Sequence, residues 1–358
     1  MTRETASSQT SIANVAALAN VSTATVSRVL SGQRSKDDDI AQRVRQAADQ
    51  LNYSANFAAS SLRSDVTRTI GLVLPQISEE ETPTVLLNSL SAAIRAANRY
   101  LLLAVGTDAQ EQSKDLHSFL ARGVDGLIII SDSSADSLID SLNQAHKDLP
   151  IVQIGGKSLT PHISWVGTDE SEAMRMTVDH LAEQGAHAIA YLSREIETYT
   201  AADLFTTFYT QAKALDLTPD PDWVQFGPCT MERGYQAALS LFQGRRIVPD
   251  AVVCASDAVA LGVLIACRHI NLRVPEDVKI IGYGDSPACE LAQPALTSIH
   301  PVYEDMANEA VRIICERTTG KPRLPSYRAF KPELIYREST WSPRTGSSDM
   351  TLPGAVDY

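Results

Sequence analysis

The chain has 358 residues, of which 44% are hydrophobic, so it is long enough for more than one buried core and too apolar for a disordered chain. It holds no run of about 18 apolar residues, and its start, MTRETASSQT, lacks an apolar signal segment; a cytoplasmic protein with no membrane association is the expectation. Its five cysteines, Cys229, Cys254, Cys267, Cys289 and Cys315, form no C-x-x-C pair, which argues against a zinc site or a disulfide framework, and no cofactor is expected.

The net charge of −12 argues against a nucleic-acid partner until it is divided along the chain. Residues 1 to 68 carry eight Lys/Arg against six Asp/Glu, and the remainder carries the acidic excess. Only the N-terminal part can approach phosphates, and its small surplus implies weak nonspecific affinity.

Residues 1–9 are polar and read as a disordered tail. From Ser11, the apolar residues Ile12, Val15, Ala16 and Ala19 recur at helical spacing, and Val26, Val29 and Leu30 do so after a break at Asn20-Val21. Ser11 and Ser22 stand where the two helices begin and can cap them. With Val26 and Val29 inward, the second helix presents Thr23, Ala24, Thr25, Ser27, Arg28 and Ser31, a small, polar and basic face suited to a DNA major groove. Alone, the pattern also fits an ordinary helical hairpin. A third amphipathic helix follows, with Asp37 to Asp39 at its start and Ile40, Val44, Ala47 and Leu51 as its stripe. The module spans 10–53. In the connector 54–66, Ala58, Ala59 and Leu62 share helical spacing, but a segment this short is marginal unless something holds it. A plain linker is the other reading.

From Thr69 the pattern becomes alternating strand and helix. Apolar runs at 70–74, 101–105, 126–130 and 151–154 are separated by helical segments near 84–99, 109–122 and 134–147. The rhythm repeats with strands near 188–193, 251–256 and 278–282 and helices near 170–184, 201–215, 230–243 and 257–269. Continuous apolar strands between helices mean parallel sheets covered on both faces, so two doubly wound lobes are predicted. The unit Leu296–Thr319 and the strand Glu333–Arg337 are expected to complete one lobe each. The core runs over 67–340. The tail 341–358, rich in Ser, Thr, Pro and Gly, reads as disordered.

Taken together, NVAALANVSTATVSRVLSG, QLNY and N-x-x-A-x-x-L-R at 56–63 resemble the headpiece and hinge of the LacI/GalR family of bacterial transcription regulators. The core strings TIGLVLP, GVDGLIII, HLAEQGAHAIAYL, PDAVVCASDAVALGVL, VPEDVKIIGYGD, PALTSIHP and YREST extend the resemblance to about 10–340. It implies a helix-turn-helix headpiece, an effector-binding core of the periplasmic-binding-protein fold, and action as a homodimer on double-stranded operator DNA. DNA contacts are implied at Ser11, Ile12, Ser22, Thr23, Ala24, Thr25, Ser27, Arg28 and Ser31, and in the hinge at Asn56, Ala59, Leu62 and Arg63. In the family this hinge folds on the operator, and the leucine matching Leu62 wedges into the minor groove. Ala55 stands where relatives commonly have proline, which leaves the connector less stiff. The tail carries no leucine heptad of the kind that joins two dimers in some relatives.

In two facing α/β lobes, ligands lie outside the carboxyl ends of the strands. The mouth of that cleft is expected at Pro75, Gln76, Arg194, Thr200, Ser256, Asp257, Asp285 and Tyr303. Asp257 has a second reading as a helix cap, and Pro75 as a strand end. Sugar- and purine-binding relatives use an arginine in R-x-x-G-[FYW] and an aspartate in G-[YF]-D; here the first position is Leu204 and the second Gly284, although Asp285 follows. A small-molecule effector of the sugar, polyol or sugar phosphate class is therefore expected to have altered contacts. Control by a protein partner and a sugar-binding protein of the same core fold are the alternatives. No G-x-S-x-G, H-E-x-x-H or P-loop is present, Gly282-Tyr283-Gly284 is a lone G-x-G, and an enzyme is not the reading.

Overall fold

The computed structural model describes residues 11–30, 38–53, 67–75, 84–130, 136–145, 149–156, 162–195, 199–217, 220–244, 246–317 and 324–341. The expected tail 1–9, the expected tail 341–358 apart from Trp341, the connector 54–66 with Asn56, Ala59, Leu62 and Arg63, and the single positions Ser31 and Gln76 lie outside these residues. Two compact units divide the chain, 1–67 and 68–358.

The first unit holds α1 (Ile12–Ala19), α2 (Thr23–Leu30) and α3 (Asp39–Gln50). Val15, Ala16, Ala19, Val26, Val29, Ala41, Val44, Ala47 and Ala48 form its core, with Ile12, Leu30, Leu51 and Tyr53 packed at the rim. The turn between α1 and α2 is tight because Asn20 adopts the left-handed conformation (φ 53°) and the Val21 N–H reaches back to the Ala16 carbonyl at 3.0 Å. Asp38 caps α3 by accepting from the Ala41 N–H at 3.1 Å.

The second unit begins with β1 (Thr69–Leu74), α4 (Thr84–Ala96), β2 (Tyr100–Val105), α5 (Ala109–Ala121), β3 (Gly126–Ile130), α6 (Asp136–Ala145), β4 (Ile151–Ile154) and β5 (Ser164–Thr168). Then follow α7 (Glu170–Glu183), β6 (Ile189–Ser193), α8 (Tyr199–Ala214), β7 (Val224–Phe226), α9 (Met231–Phe242), β8 (Ala251–Cys254) and α10 (Asp257–His269). The chain closes with β9 (Lys279–Tyr283), α11 (Ala288–Leu291), β10 (Thr297–His300), α12 (Tyr303–Arg317), β11 (Tyr327–Phe330) and β12 (Glu333–Ile335). Two six-stranded sheets result, ordered β11-β5-β4-β3-β1-β2 and β12-β10-β9-β8-β6-β7. All pairs are parallel except β10 with β12.

Strand alternation explains the continuous apolar runs. Ile70, Leu72 and Leu74 face α4 and α12, while Val73 joins Leu127, Ile129 and Ile151 against Leu116 and Phe119 of α5 and Leu138 and Leu142 of α6. In the second sheet, Ala190, Leu192, Val252, Cys254 and Ile280 face α9 and α10, and Ile189, Tyr191, Ala251, Val253 and Ile281 face α7 and α8. Helices α9 and α10 cross at Gly234 and Gly262, where an added Cβ would stand 2.1 Å from the Val259 carbonyl and 2.0 Å from the Met231 carbonyl. No helix among the described residues is long and apolar enough to cross a membrane.

The end of the chain departs from the sequence expectation. Leu296–Thr319 does not complete one lobe: β10 belongs to the second sheet, whereas α12 packs on α4 and on β3, β4 and β5 of the first. The strand expected at 333–337 joins the second sheet, and β11, which the sequence reading omits, closes the edge of the first. The expectation of one final element per lobe fails because β10 and α12 are divided between the lobes and β11 adds a further strand to the first.

After β12 the segment Arg337–Thr340 is bolted to the second lobe by buried side chains. Ser339 Oγ donates to the Ile280 carbonyl at 2.6 Å and accepts from the Thr297 N–H at 2.8 Å. Thr340 Oγ1 lies 2.8 Å from both Thr297 Oγ1 and His180 Nε2. His180 is only 5% exposed, and burial lowers its pKa to about 4. Its folded-state value lies below the unfolded value near 6.5, so the neutral ring stabilises the fold above pH 6.5 and that stability is lost as pH falls toward 4. The effect integrates to about 3 kcal/mol over that window. The difference in urea midpoint between the parent and His180→Gln, measured from pH 7 to 4, should shrink or reverse as pH falls; a pH-independent difference contradicts the buried neutral histidine.

Candidate DNA-reading helix and interlobe cleft

In the N-terminal unit, Ser22 begins α2: its Oγ accepts from the Thr25 N–H at 3.1 Å and lies 2.9 Å from Thr25 Oγ1. With Val26 and Val29 buried, Ser22, Thr23, Ala24, Ser27 and Arg28 are exposed on one side and Thr25 is half-buried. The helix therefore presents a hydroxyl-rich, small-residue face with one cation in its last turn. Ser11 sits at the start of α1, where its N–H donates to Asn14 Oδ1 at 3.0 Å. Ile12 is half-buried against the core of the unit. Its side chain is thus committed to packing rather than presented on the open face.

In the second unit, topology fixes where the lobes meet. Strand β5 leaves the first lobe at its C-terminal end into α7 of the second; β10 leaves the second at its C-terminal end into α12 of the first; β11 leaves the first at its C-terminal end into β12 of the second. The C-terminal edges of both sheets therefore adjoin three crossings. The crossings are tied together: the Asp169 N–H donates to the Phe330 carbonyl at 2.7 Å, and Lys331 Nζ lies 2.9 Å from Glu172 Oε1.

The expected cleft residues take different positions. Pro75 follows the end of β1, and Arg194, half-buried, follows the end of β6. Thr200 is buried in the first turn of α8. Ser256, and not Asp257, caps α10, its Oγ accepting from the Val259 N–H at 3.3 Å; the cap reading of Asp257 is corrected to the preceding residue, and Asp257 stands in the first turn. Asp257 instead lies under the loop after β9, accepting from the Ser286 N–H at 2.7 Å and from Ser298 Oγ at 2.6 Å. Burial raises its carboxyl pKa against those bonds. Tyr303 packs in the first lobe's core with its ring edge-on to His300 at 6.1 Å.

Asp285 is held in an ion-pair cluster within the second lobe. Its carboxylate lies 2.7 Å from Arg337 Nη1 and 3.1 Å from His300 Nδ1. Burial pushes this carboxyl up, but His300 and Arg337 outweigh it and hold the pKa below the ordinary value. The bond to Asp285 in turn raises the His300 pKa. Leu204 and Phe208, at the two ends of the position where relatives carry arginine and an aromatic residue, are both buried in the second lobe's core.

Several polar groups at this edge are absent from the sequence reading. Tyr283, the last residue of β9, donates to both carboxylate oxygens of Glu170 at 2.9 and 3.0 Å. Burial and the adjacent carboxylate push the phenol well above its ordinary pKa. Tyr191 and Ser193 end β6 with buried hydroxyls. Glu170 escaped notice because β5, which delivers it, is a short strand containing Trp165 and Gly167 without a long aliphatic run; Tyr191 read as strand core. Together the groups form a wall of hydrogen-bond donors and acceptors.

Residues 11–56 match the family described as bacterial regulatory proteins, lacI family, and residues 178–340 match the periplasmic binding protein-like domain. The chain is 32% identical to the HTH-type transcriptional regulator MalR of Streptomyces coelicolor, covering 93% of this chain and 97% of that one. It is 28% identical to the HTH-type transcriptional repressor PurR of Vibrio vulnificus, covering 92% and 98%. Among solved structures, a transcriptional regulator CelR–cellobiose complex superposes with a TM-score of 0.69 at 28% identity, covering 92% and 99%. The lac repressor dimer bound to operator and the anti-inducer ONPF shares the fold, with a TM-score of 0.80 at 21% identity over 93% and 99% of the chains. With a helix-turn-helix unit ahead of two doubly wound lobes, and with that identity to MalR over nearly the whole of both chains, the protein belongs to the lacI family of bacterial transcription regulators.

Proposed function

We propose that this regulator acts in the cytoplasm as a homodimer that binds a palindromic operator, reads each half-site with α2, and changes operator affinity when a small molecule occupies the cleft between the core lobes. The observation that carries the reading is the exposed face of Thr23, Ala24, Ser27 and Arg28 on a short helix whose opposite side, Val26 and Val29, is buried. Thr25 and Ser31 belong to the same proposed surface, and Ser11 and Ser22 supply hydroxyls near helix N-termini for phosphate contact. Asn56, Ala59, Leu62 and Arg63 are proposed as hinge contacts, with Leu62 as the minor-groove wedge.

Dimerisation through the paired core lobes is supported by the edge strand β2, which leaves Tyr100, Leu103 and Val105 62%, 40% and 44% exposed. An apolar edge strand of this kind is an aggregation hazard unless a partner covers it. Two half-sites read by one dimer also compensate for the small basic excess of the N-terminal unit.

For the effector, Arg194, Thr200, Ser256 and Glu170 are the proposed polar contacts, together with Gln76. Asp285 is less available than its place in the sequence suggests, because Arg337 and His300 hold its carboxylate. That clamp and the burial of Leu204 also favour a second reading, in which the core senses a protein partner and no small molecule.

The DNA reading is tested by selecting a binding site from a random duplex library with the full chain. The expected product is an inverted repeat of roughly 14 to 20 base pairs. Thr23→Ala and Arg28→Ala should weaken binding to it by about tenfold or more, since a good base contact is worth roughly 1–3 kcal/mol. Affinity for unrelated duplex should change much less. Equal losses on both DNAs contradict base reading by α2.

A further inference from the structure

The chain enters the second unit at Arg68, at the N-terminal edge of the first sheet. There the Tyr100 N–H donates to the Arg68 carbonyl at 2.7 Å and the Asp125 N–H to the Thr69 carbonyl at 2.8 Å, which sets the starts of β1, β2 and β3 side by side. Helices α4, α5 and α12 begin beyond the C-terminal ends of strands and finish at this edge, with Arg95 in the last turn of α4, Arg122 at the C-terminus of α5 and Arg317 in the last turn of α12. Arg68, Arg95 and Arg122 are exposed, and Arg99 and Arg317 are half-buried. Among the described residues these arginines share the edge with two carboxylates, Asp125 at 2.6 Å from Arg99 Nη1 and Glu316 at 2.6 Å from Arg312 Nη1. The far ends of the same helices carry acids: Asp108 and Glu111 on α5, Glu304 and Asp305 on α12. The first lobe is thus polarised along its strands. Helix dipoles alone favour acids at N-termini and arginines at C-termini. They do not account for Arg68, which lies in no helix.

We propose that this N-terminal edge of the first lobe is a second DNA-binding surface, in which Arg68, Arg95 and Arg122 hold phosphates of the duplex read by α2. The core as a whole carries the acidic excess of the chain and is repelled by DNA. At physiological salt a charge is felt over only about 8 Å, so a duplex responds to the nearest surface and not to the net charge. The connector 54–66 spans at most about 45 Å and is attached to the basic edge, which keeps that edge within reach of DNA held by the N-terminal unit. Guanidinium groups suit the contact because their forked N–H donors match phosphate oxygens. Such contacts carry no sequence information; they add affinity that the small basic surplus of the N-terminal unit does not supply. The inference rests on DNA binding by that unit and extends the bound surface to the core.

The test is fluorescence anisotropy of the full-length protein across a salt series. The probes are the selected inverted repeat, extended by about one helical turn on each side, and an unrelated duplex of equal length. The parent is compared with the triple variant Arg68→Gln, Arg95→Gln, Arg122→Gln and with Arg68→Lys, Arg95→Lys, Arg122→Lys. The glutamine variant should bind both duplexes about tenfold or more weakly at low salt. Its plot of log affinity against log salt should be shallower by about two or more, since each phosphate contact contributes roughly 0.9 to the slope. The ratio of the two affinities should stay as in the parent, and the lysine variant should keep the parent's slope. An unchanged slope in the glutamine variant overturns the proposal even where binding weakens, because affinity is then lost through structure and not through phosphates. A loss confined to the selected repeat also overturns it, as does a lysine variant no better than the glutamine one. Reading by α2 fails separately, when the parent itself binds both duplexes equally.

Discussion

The three backbone crossings at Thr168–Glu170, His300–Tyr303 and Phe330–Glu333 are the constraint on which the core depends. Each leaves the C-terminal end of a strand, so the two sheets must present their ligand-competent edges to the same place. The crossings are cross-linked through the Asp169 N–H to Phe330 carbonyl bond, the Lys331–Glu172 ion pair and the contact of Thr168 with Met306 at 3.9 Å. Strands pinned side by side at adjacent points resist sliding more than they resist rotation about the line through them. Closure of one lobe on the other is therefore the soft motion available to a ligand, and a ligand shifts it only by its difference in affinity for the open and closed forms.

Around that line the buried or half-buried carboxylates of the second lobe have partners. Asp257 is met by Ser286 and Ser298, Asp285 by Arg337 and His300, and Glu170 by Tyr283. The loop after β9 owes its shape to these bonds: an added Cβ at Gly282 would stand 2.4 Å from Asp257 Oδ1, and Gly284 takes φ 122°. An aspartate at position 284 would have to adopt that backbone, so the departure from G-[YF]-D is matched by the local geometry.

Much of the fold was legible because its causes are local. Long aliphatic runs such as Leu127–Ile130 mark strands covered on both faces, and the helical spacing from Ile12 to Ala19 and at Val26 and Val29 marks the first two helices. The elements that escaped lack such runs. Strand β5 includes Trp165 and Gly167, β7 is three residues long, and the exposed β11 reads Tyr-Arg-Ala-Phe; each is a strand because a neighbouring strand supplies its bonds. The assignment of β10 and α12 to different lobes depends on tertiary packing, which periodicity does not encode. The site was legible to the same degree. Ser22 and the exposed face of α2 follow from one helix, whereas the clamp on Asp285 joins residues 285, 300 and 337, and the Glu170–Tyr283 bond spans 113 positions.

The central claim is that a short helix reads a defined DNA sequence in two symmetric copies. Mapping the genomic sites occupied by the full chain in a bacterial cell tests it most directly, because the cell supplies every competing sequence at once. The account predicts a small set of sites that share one inverted repeat, with occupancy lost when residues 10–53 are deleted. Broad occupancy with no shared repeat, or sites retained without those residues, would contradict it.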